Sequence, residues 1–358
     1  MKKSLYLLAA LSLLGTNVFA KEVVAGPATT TETVAPVAGE IREENVNDET
    51  KVMSMVEVPE DKWTFGGRMY LEFEDFDNGS SLTGGDDEDG TFWGTGVSAS
   101  KGKLTLDLNV EKRFGGDLSV SKSDAEWESL RVDWKVRYQV FANQGFHLKY
   151  RNEERTRDYS KDTYHKNWTR DRYELGTDFN HFNGLLAGWL VAGYDKDKSS
   201  NEDGTSSRDN GWYWEGDFGP SFKLTERLSL NPTIYTTGEM YDSYEMVETQ
   251  LRVMMPYQVT EKLTIMPRIR FTLERTHDDK NTNGDFTRRY ENKAGSRVRY
   301  ELMANYVINE QFSTFLGVAY DDNTRDYKNR DQFSWGADNG KHDIDMWWTY
   351  VGLNYKFN

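Results

Sequence analysis

The side chains able to do bond-making chemistry are few, and their spacing works against a catalytic site. The chain of 358 residues holds five His and no Cys, which excludes thiol nucleophiles, thiolate metal sites and disulfides. His277 precedes Asp278 and His342 precedes Asp343, pairs from which a hydrolytic barrel could recruit a base and its orienting carboxylate. Neighbours on an extended chain point to opposite faces, so neither pair is a preformed dyad. The G-x-S-x-G, H-E-x-x-H and glycine-rich phosphate signatures do not occur in the sequence, and the reading is that the protein is not an enzyme. From Asp279 to Asp285, the oxygen ligands Asp279, Asn281, Asn283 and Asp285 alternate around Gly284, as in a calcium loop. The twelfth position is Tyr290 where such a loop needs a bidentate Glu, and Glu291 comes one residue late. A plain Asn/Asp/Gly loop is the stronger reading, and no cofactor is expected.

A larger charged set sits at every second position. From 263 to 274, Leu263, Ile265, Pro267, Ile269, Phe271 and Leu273 share one face, and Thr264, Met266, Arg268, Arg270, Thr272 and Glu274 share the other. Leu130, Val132, Trp134, Val136, Tyr138 and Val140 alternate in the same way with Arg131, Asp133, Lys135, Arg137 and Gln139. This is the period of half-exposed strands. Fourteen of them are expected, near 63–76, 91–101, 103–114, 127–141, 146–157, 168–182, 185–195, 211–224, 228–241, 244–259, 263–275, 288–307, 312–321 and 344–357. Most exceed the roughly 5 to 6 residues of globular strands and match the ~9 to 11 that a tilted strand needs to cross a bilayer.

The connections alternate as well. Tight turns at 100–103, 142–145, 183–184, 225–227, 260–262 and 308–311 interleave with polar loops at 77–90, 115–126, 158–167, 196–210, 276–287 and 322–343, with 242–243 the one short exception. An even strand number with short turns on one side predicts an all-β fold, a transmembrane antiparallel β-barrel of about fourteen strands over 63–358. Aromatics expected to form interfacial girdles are Trp63, Phe73, Phe114, Trp127, Phe146, Tyr173, Trp189, Trp212, Tyr257, Phe312, Tyr320, Trp347, Tyr355 and Phe357. Girdles of this kind would help to explain the 14% aromatic content of a chain that is only 37% hydrophobic. Pro232, Pro256 and Pro267 each remove a ladder donor, and bulges are expected there.

Lys2 and Lys3 precede an apolar run from Leu5 to Leu14, and Val18-Phe19-Ala20 closes it, so 1–20 reads as a secretory signal peptide. Residues 21–62, rich in Ala, Thr, Val and Glu, read as a flexible periplasmic segment. A net charge of -15 argues against nucleic acid as a partner.

The chain resembles the Gram-negative porins, and more narrowly the fusobacterial major outer-membrane porin family. The residues that carry the narrow resemblance are Phe19-Ala20 followed by Lys21-Glu22-Val23, the Pro/Thr/Val-rich segment after them, and the closing strand Tyr350-Val351-Gly352-Leu353-Asn354-Tyr355-Lys356-Phe357. The resemblance implies passive diffusion of small hydrophilic solutes, a place among outer-membrane lipid and lipopolysaccharide, periplasmic termini, and an assembly signal at Phe357 read by the barrel assembly machinery. Asn358 after that aromatic departs from the family pattern. A homo-oligomer is left open.

About fourteen strands should enclose water, which makes inward residues the functional ones. The expected basic tracks are Arg131, Lys135, Arg137, His147, Lys149, Arg151, Arg155, Arg170 and Arg172 on strands four to six, and Arg252, Arg268, Arg270, Arg297 and Arg299 on strands ten to twelve. Acidic lining residues are Glu72, Glu74, Asp107, Glu111, Glu215, Asp217 and Glu239 on the remaining strands. Opposed in this way, they would set up a transverse field favouring zwitterions and small ions. The function read from this is a general-diffusion porin. A channel specific for acidic oligosaccharides and a surface adhesin are the alternatives.

Overall fold

The computed structural model describes residues 62–77, 90–115, 125–159, 165–201, 204–280, 286–329 and 340–357. The expected signal peptide and all but the last residue of the N-terminal segment lie outside them. Fourteen walls follow one another: β1 (Thr64–Asp77), β2 (Gly90–Lys101), β3 (Leu104–Phe114), β4 (Ala125–Phe141), β5 (Gln144–Tyr159), β6 (His165–His181) and β7 (Leu186–Asn201). Then come β8 (Ser206–Gly219, with Phe222–Lys223 beyond it), β9 (Ser229–Tyr241), β10 (Tyr244–Met254, resumed at Tyr257–Gln258) and β11 (Leu263–Lys280). The last are β12 (Phe286–Lys293 and Arg297–Val307), β13 (Phe312–Asn329) and β14 (Gly340–Asp343 and Asp345–Phe357). Each pairs antiparallel with the next, and β1 pairs with β14 from Phe65↔Phe357 to Asp77↔Asp345, so the sheet closes without an edge.

Burial shows which face is inside. On β4, Leu130, Trp134, Val136 and Tyr138 are 42%, 46%, 47% and 51% exposed, whereas Arg131 and Asp133 are 3% and 4% exposed. This inverts the order of a water-soluble protein and is the arrangement that a hydrocarbon surround demands. The outward apolar run of β4 from Leu130 to Val140, at ~3.3 Å per residue and a tilt near 40°, is roughly 25 Å tall, the height of a barrel's lipid-facing band. Fourteen strands at that tilt put the wall about 14 Å from the barrel axis.

Three of the tight turns use one chemistry. Thr225 Oγ1 accepts from the amides of Arg227 and Leu228, Thr260 Oγ1 from Lys262 and Leu263, and Asn309 Oδ1 from Gln311 and Phe312, at 2.9 to 3.2 Å. The short side-chain oxygen replaces backbone acceptors that the turn removes, which is why Thr-Glu-Arg-Leu, Thr-Glu-Lys-Leu and Asn-Glu-Gln-Phe reverse the chain alike. In the 183–184 turn, Asn183 takes φ 55° and Gly184 φ 88°, left-handed conformations that these two residue types tolerate best.

The structure corrects several expectations. Trp127 and Trp189 face inward, in phase with Ser129 and Val191, because each strand's alternation fixes its face regardless of residue type. Arg155 lies over the Trp127 ring at 5.0 Å. The prolines make no bulges. Pro232 pairs with Val253 and Pro267 with Leu302 in unbroken register. The β10–β11 register is the same before Pro256, at Met254↔Arg268, and after it, at Tyr257↔Ile265. Each proline stands where one neighbouring ladder is interrupted, so no donor is missed there. Irregularities fall at Gln139/Phe141, Thr249/Gln250 and Asp279/Lys280, and the register also changes where β12 is interrupted between Lys293 and Arg297. At the second, Gln250 pairs with Thr272 and Thr249 with Glu274, which leaves Leu273 as an extra residue. Glu274 is therefore out of phase with Arg270, and the guanidinium pairs with Glu301 instead, at 2.6 Å.

Candidate functional site: the charged lumen

All fourteen basic and seven acidic lining residues expected from the sequence lie in phase with the buried side of their strands. They are not segregated. Arg131 pairs with Glu153 at 2.9 Å and Glu111 at 3.3 Å, Arg151 with Asp133 at 2.7 Å, and Lys149 with Glu174 at 2.8 Å. Arg137 pairs with Asp178 at 2.5 Å, Arg170 with Asp197 at 2.8 Å and Arg172 with Asp195 at 2.6 Å. Across the barrel, Arg268 and Arg270 share Glu301, Arg297 and Arg299 share Asp321 at 2.6 and 2.9 Å, and Arg252 meets Asp217 at 3.3 Å. The expected transverse field is thereby corrected to a locally compensated lining. Charges this deeply buried persist only when paired, so each basic track carries its own acids.

Sequence reasoning passed over Asp133, Glu153, Glu174, Asp178, Asp195, Asp197, Glu248, Glu301 and Asp321. A signal existed. In Arg131-x-Asp133, Arg151-x-Glu153, Arg172-x-Glu174 and Arg299-x-Glu301, two residues apart on a strand puts both charges on one face. Of the remaining expected residues, Lys135 is half-buried beside its register partner Asp107, and Glu74 is half-buried two residues from Glu72. Glu72 accepts from Trp348 Nε1 at 2.6 Å.

A second unit recurs inside the wall: a tyrosine with a guanidinium on its face and a carboxylate on its hydroxyl. Tyr213 carries Arg172 at 3.8 Å from its centroid and donates to Glu174. Tyr235 carries Arg252 at 3.4 Å and donates to Glu215 at 3.0 Å. Tyr241 lies under Arg170 at 5.4 Å and donates to Asp195. The ring's negative face attracts the cation while its hydroxyl serves the anion, so one phenol orients both signs. Tyr213 and Tyr235 line a cavity of about 210 Å³ between β6 and β12, together with Arg172, Glu215, Thr237, Glu239, Tyr244, Glu248, Gln250, Arg252, Arg270 and others.

At the end of the cavity away from the short turns, where Tyr244, His277 and Tyr290 line it, rings form a ladder across β9 to β14. Tyr241 stacks on Tyr244 at 4.7 Å, Tyr244 on His277 at 5.1 Å and His277 on Tyr290 at 4.7 Å; Tyr327 follows at 5.5 Å and His342 at 5.6 Å. The extra residue in β11 turns His277 inward to join it. His277 Nε2 bonds Asp279 Oδ1 at 3.0 Å, while Asp278 is bonded by Arg289 and Asp343 accepts from Thr324 Oγ1 at 2.8 Å. Neither His-Asp neighbour pair is thus assembled as a dyad. Of the calcium-like segment, 281–285 lie outside the described residues, and among the described residues no three His, Asp or Glu side chains are placed to hold a metal. Phe357 packs edge-on against Tyr355 at 4.4 Å and pairs in register with Phe65 at the barrel seam.

No family model matches the chain, and no curated protein matches it. Solved structures of similar path include the toluene transporter TodX of Pseudomonas putida, at 8% identity and a TM-score of 0.45, covering 83% of this chain and 89% of that one. A Pseudomonas aeruginosa FadL homologue matches at 12% identity and 0.44 over 83% and 91%, and the translocator domain of the autotransporter NalP from Neisseria meningitidis at 12% and 0.41 over 84% and 91%. Likeness of this order assigns no role, and what the barrel does must be argued from its own lining.

Proposed function

We propose that the protein is an outer-membrane channel of a Gram-negative cell, through which small hydrophilic solutes and ions diffuse passively. The observation that carries this reading is a closed wall with an apolar outer band and an inner face lined by paired Arg, Lys, Asp and Glu. Apolar solutes would forfeit the hydration of such a lining and gain nothing from it. The pairing favours weak selectivity over a channel specific for acidic oligosaccharides, since that role asks for guanidinium groups in excess of carboxylates along the path. The closing strand ending at Phe357 supports the narrower fusobacterial porin resemblance and recognition by the assembly machinery. Both ends of the barrel chain, Thr64 and Phe357, fall on the short-turn side, which this reading makes periplasmic.

Refolded protein in planar bilayers and liposomes tests the reading. Stepwise conductance and swelling in small sugars are expected, and a barrel that neither conducts nor admits sugar overturns it. Charge reversal at Arg131, Arg137 and Arg151 should shift the reversal potential toward cations. Unchanged ion selectivity would remove these residues from the solute path.

A further inference from the structure

On the side away from the short turns, three bases face outward just beyond a row of outward rings. Tyr173, Tyr194 and Trp212 stand opposite one another on β6, β7 and β8; the last two rings are 4.8 Å apart and Trp212 is 63% exposed. Lys196 and Lys198 follow Tyr194 on the same face of β7, and Arg208 lies directly opposite Lys198 on β8. All three bases are exposed. Like charges set opposite each other on a sheet repel, and none of the three forms an ion pair with a described carboxylate. Asp171, opposite Lys196, accepts instead from Tyr150 Oη at 2.6 Å and Asn152 Nδ2 at 3.1 Å, while the Lys196 ammonium sits 5.3 Å from the centre of the Tyr173 ring. Other outward bases of this rim stand on acids: Lys112 on Glu128 at 2.7 Å, Lys280 on Glu245 at 2.5 Å and Lys328 on Glu291 at 2.5 Å. In a chain of net charge -15, an uncompensated trio is a local site for an anion.

We propose that Lys196, Lys198 and Arg208 dock the phosphorylated headgroup of an outer-leaflet glycolipid of the lipid A type. The inference rests on the outer-membrane placement read above, which puts the side away from the short turns at the cell surface, and not on conduction. Position supplies the first argument. Interfacial tyrosine and tryptophan sit at the level of the lipid headgroups, so bases two residues further along the same strands meet phosphates. Charge supplies the second. Three cations match a headgroup with more than one negative charge, whereas a zwitterionic phospholipid presents a single phosphate beside its own ammonium. A phosphate between Lys198 and Arg208 turns their repulsion into attraction, with the guanidinium gripping two oxygens and the ammonium acting as a point charge. Below them Tyr194 and Trp212 offer apolar ring surface to the less polar part of the same lipid.

The test is native mass spectrometry of the refolded barrel in detergent and EDTA, with diphosphoryl lipid A, the same glycolipid stripped of both phosphates, and phosphatidylcholine. Diphosphoryl lipid A should bind at least ~10-fold more tightly than either of the others. The triple variant Lys196→Gln, Lys198→Gln, Arg208→Gln, checked for heat-dependent gel mobility, should lose at least ~10-fold of that affinity, and Lys198→Gln alone about 5-fold. The matched variant Lys112→Gln, Lys280→Gln, Lys328→Gln makes the same change of charge on paired bases and should keep native affinity. Equal loss in the two triple variants, or equal affinity for the dephosphorylated glycolipid, overturns the site, and so does displacement of the lipid by millimolar inorganic phosphate. The two readings fail separately: conductance without a preference for the phosphorylated lipid sinks the site alone, and phosphate-dependent binding without conductance sinks the channel while the site stands.

Discussion

Asp321→Asn is the sharpest probe of how the lumen is held. Asp321 is 2% exposed and accepts from Arg297 Nη2 at 2.6 Å, Arg297 Nε at 3.0 Å and Arg299 Nη2 at 2.9 Å. Asparagine keeps the volume and one acceptor oxygen but removes the charge that both guanidinium groups face, leaving Glu248 to Arg297 at 3.2 Å. Breaking a buried pair costs about 3 to 5 kcal/mol, and the retained acceptor places this case near the low end, about 3 kcal/mol. The control is Glu291→Gln, which breaks the pair with Lys328, whose side chain is 50% exposed. Solvent screening there limits the loss to about 1 kcal/mol or less. Reversible urea unfolding in lipid vesicles compares the two midpoints. If both substitutions lowered stability equally, burial would not govern the strength of these pairs, and the account of a compensated lining would fail.

Other expectations follow from the same geometry. Val136→Arg, in the middle of the outward band, should lower folding stability by about 2 to 4 kcal/mol in vesicles and prevent insertion at low lipid ratios. Gly317→Val would set a Cβ 2.0 Å from the Tyr350 ring and should cost about 1 to 3 kcal/mol, seen as a lowered urea midpoint. Thr260→Val removes the acceptor for two turn amides and should slow folding measured by gel mobility, with a stability loss of about 1 kcal/mol.

The strand walls were legible because alternation and turn chemistry are local. Leu130 to Val140 and 263 to 273 declare their faces without any partner. Strand ends at the loop side were less so: β7 continues to Asn201, β11 to Lys280 and β13 to Asn329, into stretches polar on both faces where the period of two carries no hydrophobic mark. The candidate site was half visible. Arg131 and Arg299 announce themselves, but whether Asp133 or Glu301 neutralises them depends on neighbouring strands and on rotamers. The tyrosine units were hidden for the same reason, since Tyr235 meets Glu215 from β8 and Arg252 from β10. Trp127 and Trp189 misled because a tryptophan's preference for the interface yields to the strand's phase.

Leu273 makes β11 a strand with two phases. Below it, odd numbers look toward lipid; above it, Arg275, His277 and Asp279 look toward water. Deleting that one residue would make the ladder regular, with Thr272 opposite Gln250 and Glu274 opposite Thr249, and would leave the imidazole between Tyr244 and Tyr290. The inward set of this rim thus hangs on one surplus position: the rim keeps its rings if that residue is lost, whereas uninterrupted alternation with all residues retained would turn the imidazole toward lipid.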